Sequence, residues 1–144
     1  MKFIVRKAEE KDLQAIAGLY HTKKEYPYSP FGREKRENFK NMLNDISRSI
    51  LVGERNGIVS AFMSLKIEQR FENNLLPSAI INDLKAEDND AEILCAILSR
   101  AIAVAMENEC KEITLYDKNI TAEKFSLYSI CGFKESESFF RKQI

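Results

Sequence analysis

Cysteine and histidine are scarce in this sequence. Its 144 residues contain three cysteines, none of them in a Cys-x-x-Cys pair, and one histidine, His21. An odd number of cysteines without such a pair is typical of reduced, mostly buried thiols and not of a disulfide framework. A single histidine leaves a zinc site or a cysteine nucleophile without its usual partner. We therefore expect no bound metal, and we expect His21 to be a solvated residue at a helix end.

An excess of charge of either sign is missing as well. Lys plus Arg and Asp plus Glu number 22 each, so the formal net charge at pH 7 is zero. No global field therefore attracts nucleic acid or an anionic membrane, although local patches remain open. No segment approaches the roughly 20 apolar residues of a membrane span, and the first residues lack the apolar core of a signal peptide. We expect a cytoplasmic protein that binds neither nucleic acid nor membrane.

The sequence does contain the pattern of a single mixed domain over residues 1–144. A chain of this length can bury roughly two thirds of its unfolded surface, so it needs no disulfide or metal to fold. Helical and strand-like periodicities predict the order β-α-α-β-β-β-α-β-α-β. The strands are predicted at 2–8, 50–55, 58–68, 77–85, 112–116 and 133–140, and the helices at 12–20, 33–47, 89–108 and 121–130.

The clearest local signal is the Asn56-Gly57 dipeptide between two predicted strands. Asn-Gly tolerates the positive φ angles of a type I′ turn, so a tight hairpin is predicted here. The apolar residues of the second strand are Val59, Ala61, Met63, Leu65 and Ile67. Because they occupy alternate positions, they predict one buried face.

Several of the predicted helices have a clear apolar face. The helix at 12–20 is expected to place Leu13, Ile16, Ala17 and Tyr20 on one face. The helix at 33–47 is expected to turn Phe39, Met42, Leu43 and Ile46 inward. The long helix at 89–108 is expected to bury Ile93, Leu94, Ile97, Leu98, Ala101, Ile102 and Ala105. Asn89 can cap this helix while Glu92 reaches back to it, as in a capping box. Asp90 in the first turn adds a favourable interaction with the helix dipole.

The stretch from Phe125 to Lys134 combines the end of a helix, a glycine stop and a strand start. Tyr128 lies four residues before Gly132, which Phe133 follows. This spacing resembles the closing signature of the GNAT N-acetyltransferase superfamily, and the predicted element order is similar to the GNAT fold over nearly the whole chain. The resemblance implies an α/β (α+β) fold, in which a central mixed, mostly antiparallel sheet of about six strands is flanked by four helices.

The resemblance also implies a reaction. In this superfamily a Tyr at the place of Tyr128 protonates the thiolate that leaves acetyl-coenzyme A (acetyl-CoA), and an amine accepts the acetyl group. A backbone N–H at a bulge in the strand matching residues 79–86 polarises the thioester carbonyl. Asp83 and Glu87, on or just past this strand, are candidates for the general base. The implied function is N-acetyl transfer to an amine of a small molecule or peptide.

The same resemblance places the acetyl-CoA contacts. Leu84, Lys85 and Ala86 would lie along the pantetheine arm, and Thr121 falls where the superfamily often has an Asn that touches it. Lys85, Lys118 and Lys124 are basic candidates at the same edge of the sheet. The pyrophosphate would lie at the start of the long helix, where this chain has Asn89, Asp90, Ala91 and Glu92.

That helix start departs from the superfamily pattern. Relatives have an Arg or Gln followed by two glycines spaced by one residue, which leave backbone N–H groups open to the pyrophosphate. The segment 87–94 has no Gly and no Arg, and it has four acidic residues. It is either a well-capped structural helix start or a degenerate acetyl-CoA loop. Open N–H groups would favour acetyl-CoA binding, whereas Asp90 or Glu92 in their place would favour a module without it.

Two functional hypotheses from different classes follow, and a small α/β domain unrelated to acyl transfer remains a third. The first is the N-acetyltransferase, and the second is a catalytically inactive GNAT-fold binding module that has lost acetyl-CoA. An aromatic wall for the acceptor, or a simple cover over the core, is expected from Tyr26, Tyr28 and Phe31. Phe139 and Phe140 could pair two copies in a homodimer or pack on the chain's own helices.

Overall fold

The computed structural model describes residues 3–20, 32–136 and 142–144. The strands within these residues are β1 (Phe3–Lys7), β2 (Arg48–Arg55), β3 (Ile58–Gln69), β4 (Pro77–Ala86) and β5 (Ile113–Leu115). The helices are α1 (Leu13–Tyr20), α2 (Arg33–Asn44), α3 (Ala91–Glu107) and α4 (Ala122–Ile130). This order confirms the predicted one from the first strand to the last helix.

The five strands form one sheet in the order β1-β2-β3-β4-β5. Each neighbouring pair from β1 to β4 is antiparallel, and β4 pairs with β5 in parallel. A parallel pair needs a crossover connection, and α3 supplies it between β4 and β5. The mixed, mostly antiparallel sheet with four helices confirms the predicted fold class.

The sixth predicted strand is absent from the described part of its range. Residues 133–136 form no strand, and 137–140 lie outside the described residues. The chain leaves α4 through a helix cap: Gly132, at φ 94°, donates its N–H to the Ser129 carbonyl, and Phe133 donates to the Tyr128 carbonyl. These two bonds satisfy the last helical carbonyls. The predicted glycine stop is therefore confirmed, and the residues after it begin as a cap.

Both faces of the sheet are covered, which corrects the expectation that β3 buries only one. On one face α3 packs through Ile97 and Leu98 onto a core that includes Met63. On the other face Phe62 belongs to a second core that includes Ile16 of α1. Consecutive β3 residues 60–65 are consequently all buried. The alternation along β3 therefore determines which helix each side chain meets.

The second helix ends earlier than predicted. α2 stops at Asn44 because Asp45 takes an extended backbone, and its carboxylate accepts from the Ser47 N–H at 2.9 Å and the Ser47 hydroxyl at 2.7 Å. This local hydrogen bonding competes with continuation of the helix. Ile46, which the sequence predicts to face inward, is fully exposed as a result.

The tight hairpin is confirmed between β2 and β3. Asn56 has φ 52° and Gly57 has φ 82°, the two positive angles that a type I′ turn requires. Among the described residues, no helix has the length and apolar character needed to cross a membrane.

We expect Gly57→Ala to lower the free energy of unfolding by about 1 kcal/mol, because a Cβ makes this left-handed backbone unfavourable. No atom lies within 4 Å of the added Cβ, so backbone strain is the whole effect. Urea denaturation followed by circular dichroism measures it. Gly18→Ala in α1 is the matched control, since it also meets open space and should stabilise by up to about 1 kcal/mol. Equal shifts for the two variants would contradict the turn argument.

Candidate functional site

A bulge interrupts β4 near its middle. Asp83 lies opposite Ser64 of β3, while Ile81 lies opposite Leu65, so Asn82 is one residue in excess. A bulge of this kind bends the strand and leaves the extra residue unpaired. The bulge that the resemblance to the GNAT superfamily implied within residues 79–86 is therefore present.

The sheet opens beside this bulge. β5 pairs with β4 only at residues 79–81, and the last bond joins the Tyr116 N–H to the Ile81 carbonyl at 3.1 Å. β4 continues to pair with β3 as far as Ala86. The β5 side of residues 82–86 therefore has no partner strand among the described residues, and a wedge forms between β4 and β5.

The wedge opens into a cleft that α4 and the C-terminal half of α3 also line. The predicted site residues that line it are Asp83, Leu84, Lys85 and Tyr128. Lys118 and Lys124, the other two basic candidates, line it too. The predicted residues outside its lining are Ala86, Glu87, Asn89, Asp90, Ala91, Glu92 and Thr121, so Asp83 is the candidate general base that the cleft retains. The structure thus brings the two candidate catalytic residues into one cleft and separates them from the start of α3.

Tyr128 reaches the cleft from α4 and bonds to a residue that sequence reasoning missed. Its hydroxyl donates to Asp117 Oδ2 at 2.7 Å, and Lys124 Nζ lies 3.2 Å from the same oxygen. The Asp117 and Lys124 side chains are only 12% and 10% exposed. Lys124 is therefore held in an ion pair and is not a free cation for a phosphate.

The protonation states of this cluster follow from its burial and contacts. Burial raises the pKa of Tyr128 well above its ordinary value, and the bond to Asp117 raises it further. Burial also acts to raise the pKa of Asp117, but the bonds from Tyr128 and the Asn119 N–H and the charge of Lys124 hold it below its ordinary value. Tyr128 therefore keeps its proton at neutral pH, while Asp117 is ionised.

Thr121 has a structural role at the start of α4. Its Oγ1 accepts a hydrogen bond from the Lys124 N–H at 3.2 Å, so it is the N-cap of the helix. A capping hydroxyl satisfies one of the open N–H groups of the first turn. The cap orients α4, which presents Tyr128 and Lys124 to Asp117.

Asp83 faces α1 on the opposite side of the bulge. The Tyr20 hydroxyl donates to Asp83 Oδ1 at 3.3 Å, and Lys85 Nζ lies 5.4 Å from the centre of the Tyr20 ring. Burial raises the pKa of Tyr20, and the neighbouring Asp83 charge adds to the rise. Tyr20 thus donates to the candidate base Asp83, and Lys85 places a positive charge beside the Tyr20 ring. The sequence placed Tyr20 on a buried helix face and did not connect it with Asp83.

The start of α3 is capped by Asp90, which corrects the prediction of Asn89. Asp90 Oδ1 accepts from the Glu92 N–H at 2.9 Å and the Ile93 N–H at 3.3 Å. Asn89 has φ 51° and ends a 3₁₀ turn, so its backbone is not the extended one of an N-cap. The bonds from the Ile93 and Glu92 N–H groups lower the pKa of Asp90 in spite of its desolvation, and the charge of Arg55 adds to this.

Arg55, at the end of β2, completes this cap and was also missed by sequence reasoning. Its Nη1 lies 3.3 Å from Asp90 Oδ2, and its Nη2 lies 3.9 Å from Glu92 Oε2. Two N–H groups of the first turn, those of Glu92 and Ile93, are therefore already bonded to a carboxylate. The residues at this helix start do not fit the pyrophosphate of acetyl-CoA.

Comparisons with known proteins concern the fold. No family model matches the sequence, and no curated protein matches it. Among solved structures, a transcriptional regulator from Bacillus halodurans C-125 is 19% identical, with a TM-score of 0.87, over 99% of this chain and 100% of that chain. A GNAT family acetyltransferase of Staphylococcus aureus is 17% identical, with a TM-score of 0.75, over 100% of both chains. The chain has the GNAT fold.

A third GNAT-fold neighbour is glucosamine-6-phosphate N-acetyltransferase from Arabidopsis thaliana. It is 18% identical, with a TM-score of 0.78, over 99% of both chains. The element order and the bulge of β4 agree with what the resemblance to the GNAT superfamily implied. The acidic, self-capped start of α3 is where this chain departs from what the resemblance implied.

Several predicted residues cannot be placed in this GNAT-fold site. His21, Tyr26, Tyr28, Phe31, Phe139 and Phe140 lie outside the described residues. Within the part of the chain that the structure describes, no group of three or more His, Cys, Asp or Glu residues could hold a metal ion. The candidate site therefore consists of the cleft, the Tyr128 cluster (Tyr128, Asp117 and Lys124) and the Asp83 side of the bulge.

Proposed function

We propose that this chain, as one cytoplasmic domain over residues 1–144, transfers an acetyl group from the thioester of acetyl-CoA to an amine of a small molecule or peptide. The observation that carries the proposal is the bulge at Asn82 beside the wedge between β4 and β5. Solved structures with the same fold include acetyltransferases named for a sugar phosphate and for aminoglycosides. Their amine-bearing substrates support a small-molecule acceptor.

The open edge of β4 supplies the binding step. No strand among the described residues pairs with residues 82–86 on the β5 side, and a pantetheine arm has two amides that can pair with such an edge. A backbone N–H at the bulge would then donate to the thioester oxygen as negative charge develops on it. Positioning of the two substrates contributes most of the acceleration in a reaction of this kind.

The proton transfers fall to the two candidate catalytic residues. Asp83 accepts a proton from the acceptor amine, whose nitrogen attacks the carbonyl carbon and forms the amide bond. The carbon–sulfur bond breaks, and the Tyr128 hydroxyl gives its proton to the sulfur. Lys124 contacts the Asp117 oxygen that holds Tyr128, so a proton from Lys124 can return to Tyr128 through Asp117. This path avoids a lasting phenolate beside a carboxylate. Asp83 then releases its proton to solvent, and Lys124 takes one up from solvent.

Isothermal titration with acetyl-CoA at low and moderate salt tests the proposal. We expect saturable one-to-one binding with a dissociation constant below a millimolar, followed by acetylation of amines in an acceptor screen. No binding up to about a millimolar, which is weaker than about 4 kcal/mol, would remove the acyltransferase function.

A second candidate function is a GNAT-fold binding module without catalysis. The capping of α3 by Asp90 and Arg55 favours it, since this is the arrangement expected of a helix start that holds no acetyl-CoA. The same titration separates the two functions. Absence of acetyl-CoA binding up to about a millimolar would favour the module.

A further inference from the structure

We infer that Asp90 occupies the phosphate position at the start of α3, so that the acyl donor is recognised as a pantetheine thioester without a contribution from its nucleotide. The inference rests on the proposed function and names its donor class. Asp90 and Arg55 become the residues that determine donor specificity, although neither lines the cleft that contains Tyr128.

The contacts of Asp90 are those that a phosphate would make. One carboxylate oxygen accepts two backbone N–H bonds from the first turn of α3, and the other accepts from the Arg55 guanidinium. Backbone N–H groups at a helix start and a guanidinium are the usual partners of a phosphate. Since the carboxylate is part of the chain, its effective concentration at this position is high, and a free ligand must displace it.

The surrounding charges oppose that displacement. Glu87, Asp88 and Glu92 are exposed next to Asp90, and Arg55 is the cation that contacts this cap. If a pyrophosphate moved Asp90 aside, Arg55 would face the pyrophosphate together with the carboxylates of Asp90 and Glu92. Like charges at such short range disfavour binding.

The part of the cleft that would contact the rest of the donor is separate from this cap. The open β4 edge at residues 82–86 and the Tyr128 cluster depend on the bulge and on the parting of β4 and β5. Neither requires an anion at α3. A donor that ends at its pantetheine arm keeps all of these contacts, so acetyl-CoA and S-acetylpantetheine should be bound equally well.

The first experiment compares these two donors by isothermal titration with the unmodified chain. We expect dissociation constants that agree within threefold. Tighter binding of acetyl-CoA by tenfold or more would overturn the inference and leave the proposed function standing. If neither donor binds up to a millimolar, the proposed function itself fails, and the inference fails with it.

The second experiment removes the carboxylate. In Asp90→Gly the first N–H groups of α3 and the Arg55 guanidinium become available, so acetyl-CoA should bind at least tenfold more tightly while S-acetylpantetheine changes less than twofold. Adding Arg55→Gln to this variant should reverse most of the gain. Circular dichroism checks that the glycine variant is folded. If it is not, Asp90→Asn takes its place, and a smaller gain is expected because the amide keeps an oxygen at the cap.

Asp88→Gly is the matched control. It makes the same chemical change in the same loop, at a residue whose φ of 53° suits glycine and which does not cap α3. Acetyl-CoA affinity should change less than threefold. An equal gain in Asp88→Gly and Asp90→Gly would show that general loop charge acts, and it would overturn the specific role of Asp90.

Discussion

Replacing Asp117 with alanine should lower the free energy of unfolding by about 3 kcal/mol, because it leaves the buried Lys124 ammonium without its counter-charge. The Lys124 side chain is only 10% exposed, and Asp117 Oδ2 is the oxygen that it contacts. Tyr128 loses its hydrogen-bond acceptor in the same variant. Urea denaturation measured by circular dichroism gives the change in unfolding free energy.

The control for this prediction is an ion pair at the surface. Arg33 and Glu37 contact at 3.1 Å with side chains that are 88% and 60% exposed, so Glu37→Ala should cost less than about 0.5 kcal/mol. The low-pH behaviour supplies a second check. Asp117 has a lowered pKa in the folded state, so its stabilisation is complete above about pH 4 and is lost as the pH falls through the folded pKa. An Asp117→Ala variant as stable as Glu37→Ala would contradict the buried-pair argument.

Local sequence signals predicted the elements that position the site. Asn56-Gly57 predicted the hairpin, because only a few residue pairs tolerate two positive φ angles. Gly132 predicted the end of α4 for a related reason, since a left-handed residue favours glycine. Such signals act over a few residues, and the structure confirms both.

The contacts that determine the chemistry were not predictable in this way. Asp117 and Tyr128 are eleven residues apart, and Arg55 and Asp90 are 35 apart. Neither spacing corresponds to neighbours on one helix or strand, so only the folded chain brings these side chains together. The choice of Asp90 over Asn89 as the cap is a matter of one residue. Both types cap helices well, and the left-handed backbone of Asn89 decides between them.

These contacts divide the proposed donor site into two parts with different properties. At the bulge, backbone groups and Tyr128 meet the reacting end of a thioester, and this part depends on the sheet. At α3, side chains of the chain itself take the hydrogen bonds that a nucleotide would use. A change at Asp90 should therefore alter which donor is bound, while a change at Tyr128 should alter how fast it reacts.

Tyr128→Phe is accordingly expected to reduce the turnover number of the proposed reaction by about 10²–10⁴-fold, the usual contribution of a general acid. The phenyl ring keeps its edge contact with Phe133, whose centroid lies 6.4 Å away. The lost hydrogen bond to the ionised Asp117 carboxylate should cost about 1.5–3 kcal/mol of stability. Steady-state kinetics with an identified acceptor measures the turnover number, and KM for acetyl-CoA should change less than threefold.

The leaving group distinguishes proton donation from a structural role of Tyr128. A thioester of an acidic aryl thiol releases a stable thiolate that needs no proton, so the defect of Tyr128→Phe should shrink at least tenfold with this donor. A merely structural role would slow both donors equally. Tyr116→Phe makes the same change at another tyrosine that lines the cleft, and it should alter the turnover number less than threefold. Full activity of Tyr128→Phe with acetyl-CoA would show that the sulfur takes its proton from another group. The buried Tyr128 cluster would then have only a structural role, which is to hold α4 against β5.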